Sequence, residues 1–86
     1  MTGNQIEFFD DIYRKYYKMM YDVALRIVKN PEIAEDVVAD TFLVLITKIN
    51  AVIEHEQPVK WLFRVLKNNA LNERRAQSAH SAVPLD

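Results

Sequence analysis

Lys60, Arg64, Lys67, Asn68, Arg74 and Arg75 fall on one side of a helix opened by Gln57-Pro58, when successive residues are turned by about 100°. Cations at helical spacing neutralise phosphates, and an amide among them offers a base edge a paired donor and acceptor. Val59, Leu62, Val65, Leu66 and Ala70 gather opposite, as a core-facing strip. Trp61 lies at the border, where an indole either stacks on a base or seals the helix packing. These residue types point to nucleic-acid binding.

Other chemistries lack their parts. Gly3 is the only glycine, so a glycine-rich phosphate loop is excluded, and the absence of cysteine removes thiol nucleophiles, disulfides and thiolate metal sites. His80, with Ser78 and Ser81 beside it, lies in a C-terminal stretch without a fixed orienting shell. Glu35, Asp36 and Asp40 sit on an outward helix face, where carboxylates keep ordinary ionisation and do little acid-base work. Glu54-His55-Glu56 offers three adjacent ligands on a loop with no further His or Cys nearby, so no metal site is expected. The chain reads as a binder, with no catalytic residue, metal or cofactor.

The elements that position these residues follow from periodicity. Half of the 86 residues are hydrophobic, with one Gly and three Pro, which favours a single all-α domain. Asn4, with Glu7 three residues on, is the expected cap of a first helix whose stripe is Ile6, Phe9, Tyr13, Tyr16, Met20, Val23 and Ile27; Tyr13 and Tyr16 are expected in the core. Asn30-Pro31 ends that helix and caps the next, with Glu32, Glu35 and Asp36 near its positive end. In the second helix Ala34, Val37, Val38, Thr41 and Leu45 face inward, while Leu43 and Ile46 stand among the outward carboxylates. Such a pair either docks a protein or is ordinary scattered apolar exposure. The expected fold is a small bundle of three long helices, about 5–29, 31–50 and 58–75, with room for a short extra helical turn in the 51–57 loop. Residues 1–75 form the domain, and 76–86 a frayed tail or the start of a linker.

The net charge of -1 is a cancellation. Residues 30–57 carry six carboxylates and one lysine, whereas 58–75 carry five Lys/Arg and one glutamate. That division suggests two partner surfaces, though charge alone equally fits two solvated faces. No apolar run approaches the ~20 residues of a membrane span, and the polar start is not a signal peptide, so a cytoplasmic protein without membrane insertion is expected.

Ala34-Glu35-Asp36-Val37-Val38-Ala39-Asp40-Thr41-Phe42, a loop, and then Trp61-Leu62-Phe63-Arg64-Val65-Leu66-Lys67-Asn68 resemble the second conserved region of bacterial sigma factors. The likeness spans about Phe8 to Arg75 and is nearest to the extracytoplasmic-function group. That group's pattern reads roughly Ala-Glu-Asp-Val-Val-Gln-Glu-Thr-Phe, a loop, then Trp-Leu-Tyr/Phe-Arg-Ile-Ala-X-Asn. The resemblance implies an all-helical domain that binds core RNA polymerase and recognises and melts the promoter minus-ten element. By position, Glu35, Asp36, Asp40, Phe42, Leu43 and Ile46 would meet the clamp coiled coil of the largest polymerase subunit. Lys60, Trp61, Arg64, Lys67, Arg74 and Arg75 would hold the non-template single strand, with Asn68 and Asn72 near base edges. Asn50, Glu54, His55, Glu56 and Gln57 would belong to a specificity loop that receives a flipped base. An anti-sigma factor is a further implied partner.

Ala39 stands where the family usually has Gln, and Ile46 where a Trp is common. Complete sigma factors of this group add a helix-turn-helix domain, so the resemblance implies part of a longer protein. The alternative is a sigma-like regulatory module that binds a protein partner without touching DNA.

Overall fold

A computed structural model describes residues 1–82, with side-chain surroundings through Gln77, and every element in it is helical: α1 Gly3–Val28, α2 Pro31–Thr47, α3 Ile49–Val52 and α4 Pro58–Ala82. The three long helices expected from periodicity are present, with one short helical turn between the second and third.

α1 starts earlier than the expected Asn4 cap. Thr2 Oγ1 accepts the Gln5 N–H at 3.2 Å while Gln5 Oε1 accepts the Thr2 N–H at 3.0 Å. This reciprocal capping box satisfies donors the first turn leaves free, and Thr-x-x-Gln fits it better than Asn4 with Glu7 does. Gln5 Nε2 also donates to Asn50 Oδ1, which ties the start of α1 to α3.

The link to α2 is two residues long. Lys29 takes the left-handed conformation (φ 56°) and its N–H donates to the Leu25 carbonyl at 2.8 Å. Asn30 is extended, as a residue before proline must be, and its Oδ1 accepts the Glu32 and Ile33 N–H groups at 3.0 and 3.2 Å. So short a turn folds α2 back along α1.

Two boundaries differ from expectation. α2 ends at Thr47, not near Asn50, because Lys48 leaves helical geometry (φ -109°, ψ 22°). The break restarts the chain as α3 and lets both Ile49 and Val52 bury their side chains, so the loop proper is 53–57. At the other end α4 runs on to Ala82 through the expected linker start, where no residue is a strong helix breaker before Pro84. The side chains of Ser78, His80 and Ser81, and residues 83–86 altogether, lie outside the described residues.

Each long helix packs against the other two. Met20 and Ala24 of α1, Val38 and Leu45 of α2, and Leu62, Leu66 and Ala70 of α4 meet with no solvent exposure. Burial of each Leu or Met stabilises the bundle by about 1.5–3 kcal/mol. Two positions of the expected α1 stripe are not core: Ile6 is 52 % exposed and Tyr13 43 %. Tyr16 is half-buried, edge-on to Phe63 at 6.3 Å.

One polar contact crosses this apolar interior. Thr41 Oγ1, fully buried, donates to the Val37 carbonyl at 2.8 Å and accepts from Asn69 Nδ2 at 3.1 Å, joining α2 to α4. Thr41→Val removes that acceptor and strands a half-buried amide, so it should cost about 1–3 kcal/mol. Replacing both partners, in Thr41→Val with Asn69→Leu, should recover most of the loss because no polar group is then left unpaired. Urea denaturation midpoints of the single and double variants check both outcomes.

Candidate functional site

α4 turns one narrow strip inward and shows the rest of its circumference. Lys60, Arg64, Lys67, Asn68, Asn72, Arg74 and Arg75 are all exposed along it. Among the described residues, no cation of α4 lies within ion-pairing distance of a carboxylate. Arg14 and Lys15 of α1, by contrast, are paired with Asp10 and Asp11 at 3.1 and 3.2 Å. Among the described residues, the five cations of α4 share one helix without an ion pair, whereas the other unpaired cations, Lys18, Arg26, Lys29 and Lys48, lie on α1 and in the links that follow α1 and α2.

Residues four apart form inclined rows on a helix surface. Lys60, Arg64 and Asn68 form one such row, and a cleft runs along each of its sides. The first cleft lies between this row and Trp61, and is closed by His55 and Gln57 of the 53–57 loop. Trp61 is half-buried, packed on the core while it also lines the cleft. His55 Nδ1 accepts the Gln57 N–H at 2.9 Å, and the Gln57 carbonyl takes the Trp61 N–H at 3.1 Å as the first helical hydrogen bond of α4. The imidazole thereby fixes the loop where it meets the helix. The second cleft lies between the cation row and Phe63, Lys67 and Leu71.

Not every loop residue joins this arrangement. Asn50 belongs to α3 and is engaged by Gln5, whereas Glu54 and Glu56 are exposed outside the cleft lining. Periodicity alone does not pick out Phe63 and Leu71. Both are apolar residues on the flank of the charged face: Phe63 also packs against the core, whereas Leu71 lies away from the Leu62–Leu66–Ala70 strip, among the cations.

A different surface lies between α1 and α2. Tyr13, Tyr17, Glu35, Ala39, Phe42, Leu43 and Ile46 line a groove. Leu43 and Ile46 are 59 % and 39 % exposed, as their place among the carboxylates implied. Phe42 is only 5 % exposed, and so is the floor of the groove rather than part of an outward face. Its ring is held at 5.0 Å from Tyr13, 5.6 Å from Phe9 and 6.3 Å from Tyr17. Desolvation pushes the Tyr17 hydroxyl above its ordinary value, with Tyr13, Glu35 and Tyr21 adding in the same direction. Glu35, Asp36 and Asp40 stand exposed around this apolar patch.

The fold and these surfaces define a helical binding module with a cationic, aromatic helix and a separate acidic groove. None of its described helices is long and apolar enough to cross a membrane. Residues 12–80 match the family model described as Sigma-70 region 2, which is most of the chain, and the protein belongs to that family. No curated protein and no solved structure matches it. Region 2 engages core RNA polymerase and takes part in recognising the promoter minus-ten element; it is a transcription-initiation domain and not a catalytic family.

The contrast between floor and rim of the acidic groove is open to measurement. Phe42→Ala should cost about 3–5 kcal/mol of stability, as for a large ring removed from a core. Leu43→Ala should change stability by no more than about 0.5 kcal/mol, as for an exposed position. Thermal melts of the two variants, followed by circular dichroism, distinguish them.

Proposed function

We propose that this domain docks on core RNA polymerase through the α1–α2 groove and captures the non-template strand of the minus-ten element on α4, opening the duplex as it does so. The observation that carries this reading is the separation of charge. Five unpaired cations stand on α4 beside two aromatic residues, and Glu35, Asp36 and Asp40 stand exposed on α2 at an apolar groove.

On this reading the groove receives the clamp coiled coil of the largest subunit. Leu43 and Ile46 supply apolar contact over the Phe42 floor, and Glu35, Asp36 and Asp40 meet its basic side chains. Lys60, Arg64, Lys67, Arg74 and Arg75 hold phosphates and thereby set register, whereas Asn68 and Asn72 are placed to read base edges. The cleft under the 53–57 loop, with His55, Gln57 and Trp61, accepts a base turned out of the stack. Such a capture offsets the few kcal/mol that unstacking costs. No bond is made or broken.

The Trp61-to-Asn68 motif supports assignment to the extracytoplasmic-function group, with an anti-sigma factor as a further partner and the cytoplasm as its place of action. The domain proper is taken as residues 1–75, since among the described residues the last fully buried one is Ala70, with 76–86 a tail or the start of a linker.

Each face has its own test. Lys60→Ala with Arg64→Ala should weaken single-strand binding and lower the slope of log K against log salt by about 1.4, at ~0.7 for each phosphate that is no longer neutralised. A fluorescence titration with an unchanged slope would remove the cation row from the interface. Asp40→Lys with Leu43→Ala should instead reduce capture by core polymerase in a pull-down while leaving DNA affinity intact. Full capture would sink the docking assignment.

The exposed Glu54 and Glu56 beside the loop cleft favour one competing reading, a regulatory module that binds only protein, because carboxylates there repel a strand. Sequence-selective binding to a panel of short single strands decides for the sigma reading, and no binding at low salt decides for its rival.

A further inference from the structure

Gln5, at the start of α1, uses both ends of its amide. Its Oε1 accepts the Thr2 N–H and so completes the capping box, while its Nε2 donates to Asn50 Oδ1 on α3. From α3 a path of hydrogen bonds leads into the cleft beside Trp61. The His55 N–H donates to the Val52 carbonyl at 3.0 Å, the Gln57 N–H to His55 Nδ1 at 2.9 Å, and the Trp61 N–H to the Gln57 carbonyl at 3.1 Å. His55, Gln57 and Trp61 line that cleft, and Gln5 does not.

Little else fixes the direction of this segment. α3 has only four residues and no side-chain cap, and it follows the break at Lys48. Its anchors are the buried side chains of Ile49 and Val52. Apolar burial is non-directional, so these two set the depth of α3 without setting its tilt. Where Ile53 passes α1 it borders an open depression, shared with Asn4, Glu7, Phe8 and Asp11, and room for a tilt is left there. A hydrogen bond weakens steeply when its donor and acceptor are turned out of line. Among the described residues, Gln5–Asn50 is the one side-chain hydrogen bond that joins residues 48–57 to another helix, so it is the contact that resists the tilt.

We propose that Gln5 is a positioning residue for the 53–57 loop: by holding Asn50 it fixes where His55 and Gln57 stand over Trp61, and thereby how sharply the cleft discriminates between bases. Gln5 touches no strand and acts through α3. This rests on the reading of the loop cleft as the site that accepts a base, and goes beyond it by making the cap of α1 part of that site. Loss of the tie therefore blunts discrimination and leaves the phosphate contacts of α4, and with them the salt dependence, as they are.

The experiment breaks the tie from either side in the full chain, with Gln5→Met and with Asn50→Ala, and compares the double variant. Asn50→Asp keeps an acceptor for Gln5 Nε2 and serves as the rescue, while Thr2→Ala weakens the capping box and spares the tie. Two quantities are read: amide hydrogen exchange at His55 and Gln57 against Leu66 in the core, and the ratio of the tightest to the weakest affinity among short single strands of deoxyadenylate, deoxycytidylate and deoxythymidylate. Each tie-breaking variant should speed loop exchange and lower the ratio by about two- to tenfold, the range set by one ordinary hydrogen bond, with Leu66 still protected and the salt slope unchanged. The double variant should lose no more than either single one, because both remove the same contact. Asn50→Asp and Thr2→Ala should behave as the wild type. Unchanged loop exchange in both tie-breaking variants overturns the positioning role, and so does a Thr2→Ala ratio that falls as far as theirs. Faster loop exchange with an unchanged ratio, in a wild type that discriminates, overturns the link to specificity. Equal affinity of the wild type for all three strands overturns instead the base-accepting cleft on which the proposal rests.

Discussion

Everything the domain displays depends on how α4 is rotated in its seat. Among the described residues its fully buried strip is Leu62, Leu66 and Ala70, set against α1 and α2. A slip of one residue turns the helix by about 100° and would carry the Lys60–Arg64 row toward the interior. Apolar packing alone penalises such a slip weakly, since Val59, Val65 and Phe63 flank the strip and are themselves partly buried. The Thr41–Asn69 hydrogen bond is more selective. In a different rotation the Thr41 hydroxyl still reaches the Val37 carbonyl, but the amide that meets it is gone. Because Thr41 lies on the inner side of the helix whose outer side forms the acidic groove, one contact sets the relative orientation of both surfaces.

The helices are legible in the sequence because their periodicity is strong, and the inward positions of α4 and most of those of α2 follow from counting. What counting cannot see is competition between neighbouring solutions. Asn4 and Thr2 both look like caps, and Thr2 prevails because Gln5 completes the reciprocal bond. Lys48 carries no turn signature, yet the helix breaks there so that Ile49 and Val52 can both be buried. Tyr13 fits the stripe of α1 but stands where that stripe emerges into the groove beside α2. Position in a motif turns Phe42 outward, whereas its actual depth is set by three aromatic neighbours on α1, far away in sequence.

The acidic groove shows how a small residue shapes a surface. Ala39 lies within its lining, between Glu35 and Leu43 along the same row of α2. A longer side chain there would stand in the depression that the aromatic floor otherwise leaves accessible. With Ala, a partner's side chain can reach toward Phe42 and Tyr17, so the contact is gained in depth rather than from one more hydrogen bond at the rim. Tyr17 and Glu35 share the lining of this groove, and burial raises the Tyr17 hydroxyl above its ordinary value with Tyr13 and Glu35 adding to it.

The opposite holds on α4. Its cations are exposed, so water and salt screen each phosphate contact, and beyond about 8 Å at physiological ionic strength their attraction is largely lost. The protein as a whole adds no long-range pull, since its net charge is -1 and the cations of α1 at Arg14 and Lys15 are paired with neighbouring carboxylates. On the proposed reading, a strand would therefore not be drawn in from a distance by this domain alone and would have to be delivered by a polymerase already holding the DNA. Once delivered, exposed charge contributes affinity that is nearly blind to sequence. On the proposed reading, discrimination would come from groups whose contact is short-ranged and geometric, such as the amides of Asn68 and Asn72 and the Trp61 ring in the loop cleft. A weak electrostatic surface is thus compatible with selectivity, because less of the binding free energy comes from phosphates that every sequence shares.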